Sequence, residues 1–128
     1  MGLDMYLNGE RYFMDGPPPP PGKPAFKAEI YQLGYWRKHP NLHGYIVQEF
    51  ADGKDECQKI PLGEDELIQI MDAVKANELP HTTGFFFAVS EGTAEERQED
   101  LSILQTALEW LRTKDEGIWR SVCYQASW

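Results

Sequence analysis

The residues whose types and spacing could best support chemistry lie in the stretch 34–43. These ten residues include two aromatic side chains, two cations and two histidines. The stretch also spans a structural boundary, because Pro40 is expected to end an extended segment and Asn41 can cap a helix. Polar groups that gather where a strand ends often line a binding site, since the scaffold holds them in place.

An anionic small molecule is the ligand that this stretch would suit. Arg37 can hold a phosphate or a carboxylate through two parallel hydrogen bonds. A helix that begins at Asn41 would add the positive end of its dipole. Asp4 and His43 could complete an acid–base crevice if the first predicted strand pairs with the second. The candidate ligand-binding residues are Asp4, Tyr35, Trp36, Arg37, Lys38 and His43.

A structural interpretation of the same residues stays open. Asp4 or Glu91 could neutralise Arg37, which would then only fix its strand. The side chains of Tyr35 and Trp36 could equally belong to the core, since aromatic residues in strands more often pack than bind.

No known catalytic or metal-binding motif accompanies these residues. The sequence contains no phosphate-binding loop, no dinucleotide fingerprint and no nucleophile elbow. Cys57 and Cys123 have no second cysteine or histidine at metal-ligand spacing. His39 and His43 are four residues apart, but Pro40 is expected to break any helix that they would share. The sequence therefore predicts no catalytic residue, no metal site and no cofactor.

Composition and charge limit the classes of function. A chain of 128 residues fits a single domain, 1–128. Its net charge of -9 disfavours direct nucleic-acid binding, which needs a basic face, and fits either simple solubility or a basic partner surface. No apolar run is long enough to cross a membrane, and no signal-peptide pattern is present. An intracellular setting with free cysteines is expected, and the oligomeric state stays open.

Hydrophobic periodicity predicts an α+β domain, with a mostly antiparallel sheet of about five strands and about three helices packed on it. Both faces of the segment 28–38 contain apolar residues, which favours a central strand. The segment 57–62 contains Pro61 and is expected near an edge. The predicted strands are 3–14, 28–38, 57–62, 83–89 and 118–128, and the predicted helices are 41–50, 63–79 and 93–113.

A proline-rich loop occupies residues 16–24, with five consecutive prolines. Such a run favours a polyproline II conformation and cannot lie in the centre of a sheet. It is predicted to be a stiff connector between two strands, and the alternative is a ligand for an aromatic groove of the SH3 type.

Several short motifs, taken together, resemble a family of small proteins encoded by bacteriophages and prophages. They are GLDMYL at 2–7, YWRK at 35–38, NLH at 41–43, DGKD at 52–55 with Cys57, TGFFF at 83–87, EDL at 99–101 and YQASW at 124–128. Members of that family often end in Ser-Ser-Trp, and Ala126 replaces the first serine here. Some members carry a phosphoglycerate kinase label, but 128 residues are too few for that two-domain fold.

The resemblance implies a phage setting, and hence the cytoplasm of a bacterial host, but no activity. The leading hypothesis is a non-enzymatic accessory protein that binds a host or phage protein complex. The most specific version of this hypothesis is an inhibitor of a bacterial defence system, of the anti-CRISPR kind. The alternative is a small nucleotide- or phosphate-binding protein or enzyme that uses the crevice of Arg37, His43 and Asp4.

Overall fold

The computed structural model describes residues 2–14, 18–25, 27–82 and 90–128. Their secondary-structure elements are β1 (Asp4–Phe13), β2 (Ala28–Arg37), α1 (Pro40–Phe50), β3 (Ile60–Pro61), α2 (Glu64–Lys75), α3 (Ala94–Arg112) and β4 (Ile118–Ser127). The predicted α+β class is confirmed, with four described strands instead of about five. The predicted strand 83–89 lies outside the described residues.

The four described strands form one antiparallel sheet in the order β2-β1-β4-β3. The prediction that β2 is central is wrong for these strands, because β2 lies at one end of the sheet and β1 lies between β2 and β4. Strand β2 has apolar residues on both faces, but the two faces have different surroundings. One face packs under α3, and the other exposes Ile30 and Tyr35 to solvent. Pro61, predicted near an edge, lies in β3 at the other end.

One face of the sheet, the inner face, supports the core. Strand β1 alternates as predicted, and its buried residues pack with those of β4 and with Trp36. The inner-face core residues are Met5, Leu7, Trp36, Val122, Tyr124 and Ala126. All three helices add their buried side chains to this same core: Leu42 and Ile46 from α1, Leu67, Ile70 and Val74 from α2, and Leu104, Ala107 and Leu108 from α3.

The opposite face of the sheet, the outer face, contains only half-buried and exposed residues among β1, β2 and β4. It carries Tyr6 and Tyr12 of β1, Ile30 and Tyr35 of β2, and Trp119 of β4. Antiparallel sheets commonly leave one face to solvent. The described part of the proline-rich loop, residues 18–24, is exposed throughout.

Helix α1 begins differently from the prediction. Its N-cap is His39 and Pro40 occupies the first turn, so Asn41 is a helical residue and not the cap. Proline suits this position because the first backbone amides of a helix need no intrahelical acceptor. The backbone N–H of His43 donates to the carbonyl of His39 at 3.1 Å. Pro40 therefore starts the helix between the two histidines and does not break it.

The ends of α2 and α3 follow known capping rules. Thr93 caps α3 by accepting from the backbone N–H of Glu96 at 3.1 Å, and the Glu96 carboxylate accepts from the backbone N–H groups of Glu91 and Gly92. Helix α2 stops earlier than predicted, because Asn77 adopts a positive φ of 55° before Pro80 is reached. No helix in the described ranges is both long and apolar enough to cross a membrane.

Gly34 allows α3 to lie close against β2. A Cβ atom at this position would collide with the side chain of Ile103. Gly9 of β1 likewise makes room for the side chain of Trp110 of α3. The absence of two side chains therefore sets the distance between α3 and the sheet.

We predict that Gly34→Ala lowers the free energy of unfolding by about 1–3 kcal/mol, because the added methyl group overpacks the contact with Ile103. Urea denaturation of the parent and the variant measures this loss. In an Ile103→Ala background the same change should cost much less. An equal loss in both backgrounds would show that α3 does not press on Gly34.

Candidate functional site

The most buried charged side chain among the described residues is Asp100 of α3, which is 1% exposed. Its Oδ1 accepts a hydrogen bond from the indole Nε1–H of Trp36 at 2.8 Å. Its Oδ2 lies 2.9 Å from Nε2 of His39, which is 3% exposed. One carboxylate thus joins β2, α3 and the N-cap residue of α1.

The second ring nitrogen of His39 contacts Ser90. Nδ1 lies 2.7 Å from the Ser90 hydroxyl oxygen, which also accepts from the backbone N–H of Asn41 at 3.0 Å. Because a carboxylate can only accept, Nε2 carries the proton that faces Asp100, and in the neutral ring this leaves Nδ1 to accept from the Ser90 hydroxyl. The order serine, imidazole, carboxylate resembles a hydrolase triad with the ring nitrogens exchanged. The bond from Asn41 holds this serine at the start of α1, which favours a positioning role.

Glu96 brings a second carboxylate to the same imidazole. Its Oε1 lies 3.6 Å from Nε2 of His39. The carboxylate is itself held by the backbone N–H groups of Glu91 and Gly92, at 2.8 and 3.1 Å. Glu96 and Asp100 are four residues apart on α3 and therefore share one face of the helix.

His39, Glu96 and Asp100 form the one group of metal-ligand type found among the described residues, with their ligand atoms within 4.8 Å of one another. The sequence indicated no metal site, and none of these three residues was among the predicted ligand-binding residues. The four-residue step between two acids on a predicted helix was a visible signal. The contribution of His39 was not visible, because the residue lies 57 positions before Glu96 in the chain.

A cavity of about 220 Å³ opens onto this group. Its lining carboxylates are Glu91, Glu96, Glu99 and Asp100. The other lining residues are Tyr35, Trp36, Arg37 and His39. Four carboxylates outweigh one guanidinium and one imidazole, so the cavity attracts cations and opposes a free anionic ligand.

The structure divides the predicted ligand-binding residues among four places. Tyr35, Trp36 and Arg37 line the cavity. Asp4 lies beside it at a corner of the sheet, where its Oδ1 accepts from the Tyr35 hydroxyl at 2.5 Å and lies 4.0 Å from Nε of Arg37. This hydrogen bond to Asp4 raises the pKa of the Tyr35 phenol above its usual value. Lys38 is exposed, and its backbone N–H donates to the carbonyl of Leu3 at 2.8 Å.

His43 does not line this cavity, which corrects the predicted crevice of Arg37, His43 and Asp4. It lies one turn into α1 and is 3% exposed. Its Nδ1 lies 2.6 Å from the Tyr124 hydroxyl, and its Nε2 lies 2.9 Å from Oδ2 of Asp55. The crevice fails to form because His43 faces the inner side of β4, while Arg37 lies on the outer-face register of β2.

Asp55 in turn accepts from the indole Nε1–H of Trp128 at 3.1 Å. Burial raises the pKa of the Tyr124 phenol well above its usual value, so this hydroxyl stays protonated and donates to His43. Two hydrogen-bonded chains therefore meet at the start of α1. Each chain is made of a tryptophan, an aspartate, a histidine and a hydroxyl group.

Comparisons with protein-family models, with curated proteins and with solved structures find no match to this chain. Function is therefore inferred from the chain's own side chains.

We predict that Trp36→Phe lowers the free energy of unfolding by about 1.5–3 kcal/mol, because the buried Asp100 carboxylate loses a hydrogen-bond donor. Trp119→Phe is the matched control, since Trp119 is 58% exposed and its change should stay within about 0.5 kcal/mol. Urea denaturation compares the two variants. Equal effects would contradict the role of the indole N–H.

Proposed function

We propose that the protein is a phage or prophage accessory protein that binds a host or phage protein complex in the bacterial cytoplasm through the outer face of its sheet. The observation that carries this proposal is the group of large apolar side chains left exposed on that face. Ile30 is 63% exposed, Trp119 is 58% exposed and Tyr12 is 44% exposed.

These side chains lie close together. Tyr12 and Trp119 are directly opposite each other in the pairing of β1 with β4, and Ile30 is opposite Glu10 on the neighbouring strand. Tryptophan and tyrosine are the residues most enriched at the centre of protein interfaces, where they contribute most of the binding free energy. A contiguous exposed apolar patch is uncommon on a monomeric protein and often marks a partner site.

A cleft at the end of the sheet supports the same proposal. It has a volume of about 480 Å³ and is lined by Tyr12, Phe13, Met14, Lys27 and Trp119. Met14 is 67% exposed, and methionine adapts its shape readily to a partner. Such a cleft suits one apolar side chain of a partner protein, with the flanking sheet contacting the surface around it.

The charge of the chain indicates what kind of partner surface should surround the apolar side chain that enters the cleft. A net charge of -9 favours association with a basic protein surface and steers the encounter over a distance. The resemblance to phage proteins makes a bacterial defence complex the sharpest candidate, because nuclease complexes present basic channels to nucleic acid.

The alternative, a nucleotide- or phosphate-binding protein, has less support. The cavity that contains Arg37 also contains four carboxylates, and His43 lies outside it. Free phosphate would be repelled there unless a cation were bound first.

We predict that the tagged parent captures a defined protein complex from phage-infected host lysate and that Trp119→Ser reduces its recovery by more than about tenfold, because interface tryptophans are frequent hot spots. Ile68→Ser is the matched control, since Ile68 is an exposed apolar residue of α2 and is 36% exposed. Quantitative mass spectrometry measures recovery, and circular dichroism checks that both variants remain folded. Equal recovery with Trp119→Ser, or a loss with Ile68→Ser, would contradict the outer face as the binding surface.

A further inference from the structure

We infer that His39, Glu96 and Asp100 bind one divalent transition-metal ion of the Zn²⁺, Mn²⁺ or Fe²⁺ type, with an open coordination position toward the cavity. The three ligands themselves are not residues of the outer face, because they come from the N-cap of α1 and from one face of α3.

The separations of the donor atoms fit a single ion. Metal–ligand bonds of about 2.0–2.2 Å at tetrahedral angles place two ligand atoms roughly 3.3–3.5 Å apart. Nε2 of His39 is 2.9 Å from Asp100 Oδ2 and 3.6 Å from Glu96 Oε1. The third pair lies within 4.8 Å. Small rotations of the two carboxylates would bring all three atoms to bonding distance.

Each ligand is also held by a group behind it, as in metal sites of known proteins. The Trp36 indole fixes the far oxygen of Asp100, and Ser90 contacts the far nitrogen of His39. The Glu91 amide donates to the far oxygen of Glu96, Oε2, and the Gly92 amide donates to Oε1, the oxygen that lies near His39. The three donors are therefore oriented toward one point by their surroundings.

Charge favours a cation at that point. Asp100 is buried and the Glu96 side chain is only 15% exposed, so two carboxylates face one imidazole with little water. Buried carboxylates are costly unless a positive charge compensates them. The mixture of imidazole and carboxylate donors, with no thiolate, selects zinc, manganese or iron over softer metals. Three protein ligands beside a cavity are typical of sites that keep a coordination position open.

Metal binding requires a change at His39 that the site can accommodate. The metal bonds to Nε2, so the neutral ring gives up the Nε2 proton and carries one at Nδ1 instead. Nδ1–H then donates to the Ser90 oxygen, which can accept because the hydroxyl proton is free to turn away. A neutral ring thus carries one proton both before and after the ion binds.

Isothermal titration of Zn²⁺ and Mn²⁺ into chelator-treated protein tests this site. We expect one ion per chain in the parent and an affinity at least about tenfold weaker for Glu96→Gln, since even outer partners of metal ligands contribute that much. Glu99→Gln is the matched control, because Glu99 lines the same cavity and loses the same charge without being one of the three ligands. No stoichiometric binding by the parent, or equal losses in both variants, would overturn the inference.

A second measurement keeps the inference testable if Glu96→Gln does not fold. Substoichiometric Mn²⁺ broadens the NMR signals of nearby nuclei in the parent protein. We expect the first signals lost to be those of His39, the Trp36 indole and Asp100. Broadening that centres on the exposed His81, or that spreads over the acidic surface, would place the ion elsewhere and refute the site.

Discussion

The buried carboxylate of Asp100 is the constraint on which the arrangement of β2, α1 and α3 depends. A carboxylate that is 1% exposed must find donors inside the protein, because leaving it unpaired costs several kcal/mol. The Trp36 indole and the His39 imidazole supply them. The start of α1 and the face of α3 are thereby fixed relative to the edge of the sheet.

The second chain, from Trp128 through Asp55 and His43 to Tyr124, repeats this solution one turn further along α1. The backbone bond from His43 to His39 joins the two chains through the first turn of the helix. They differ in access, because the chain through His39 borders a cavity and gains a second carboxylate from Glu96. Polar groups thus position α1 in both chains, but only the chain through His39 is arranged to bind a cation.

Elements defined by local periodicity could be predicted from the sequence, whereas contacts between distant residues could not. The alternation of Leu3, Met5 and Leu7 and the apolar stripe of α2 follow from the pitch of a strand and of a helix, and both predictions are confirmed. Among the four described strands the centre of the sheet was misplaced, because a strand at the end of this sheet that exposes Ile30 has the same apolar pattern as a buried one. Pro40 was taken to break a helix, since its role depends on whether it begins or interrupts one.

The candidate site was only partly predictable for the same reason. Trp36 and Arg37 were selected because they cluster with other polar residues in sequence, and they do line a cavity. Asp100 was not selected, because its bond to Trp36 spans 64 residues and depends on how α3 packs on the sheet. The aromatic outer face was overlooked because Tyr12 and Trp119 become neighbours only when β1 pairs with β4.

The protonation of the His39 ring tests the central role of Asp100 most directly. Long-range ¹⁵N–¹H correlation NMR of the metal-free protein at neutral pH distinguishes the two ring nitrogens. The hydrogen bond to the Asp100 carboxylate predicts that Nε2 carries a slowly exchanging proton and that Asp100→Asn alters both ring nitrogen shifts. A ring whose Nε2 is unprotonated in the parent would contradict the carboxylate as the interaction that holds β2, α1 and α3 together.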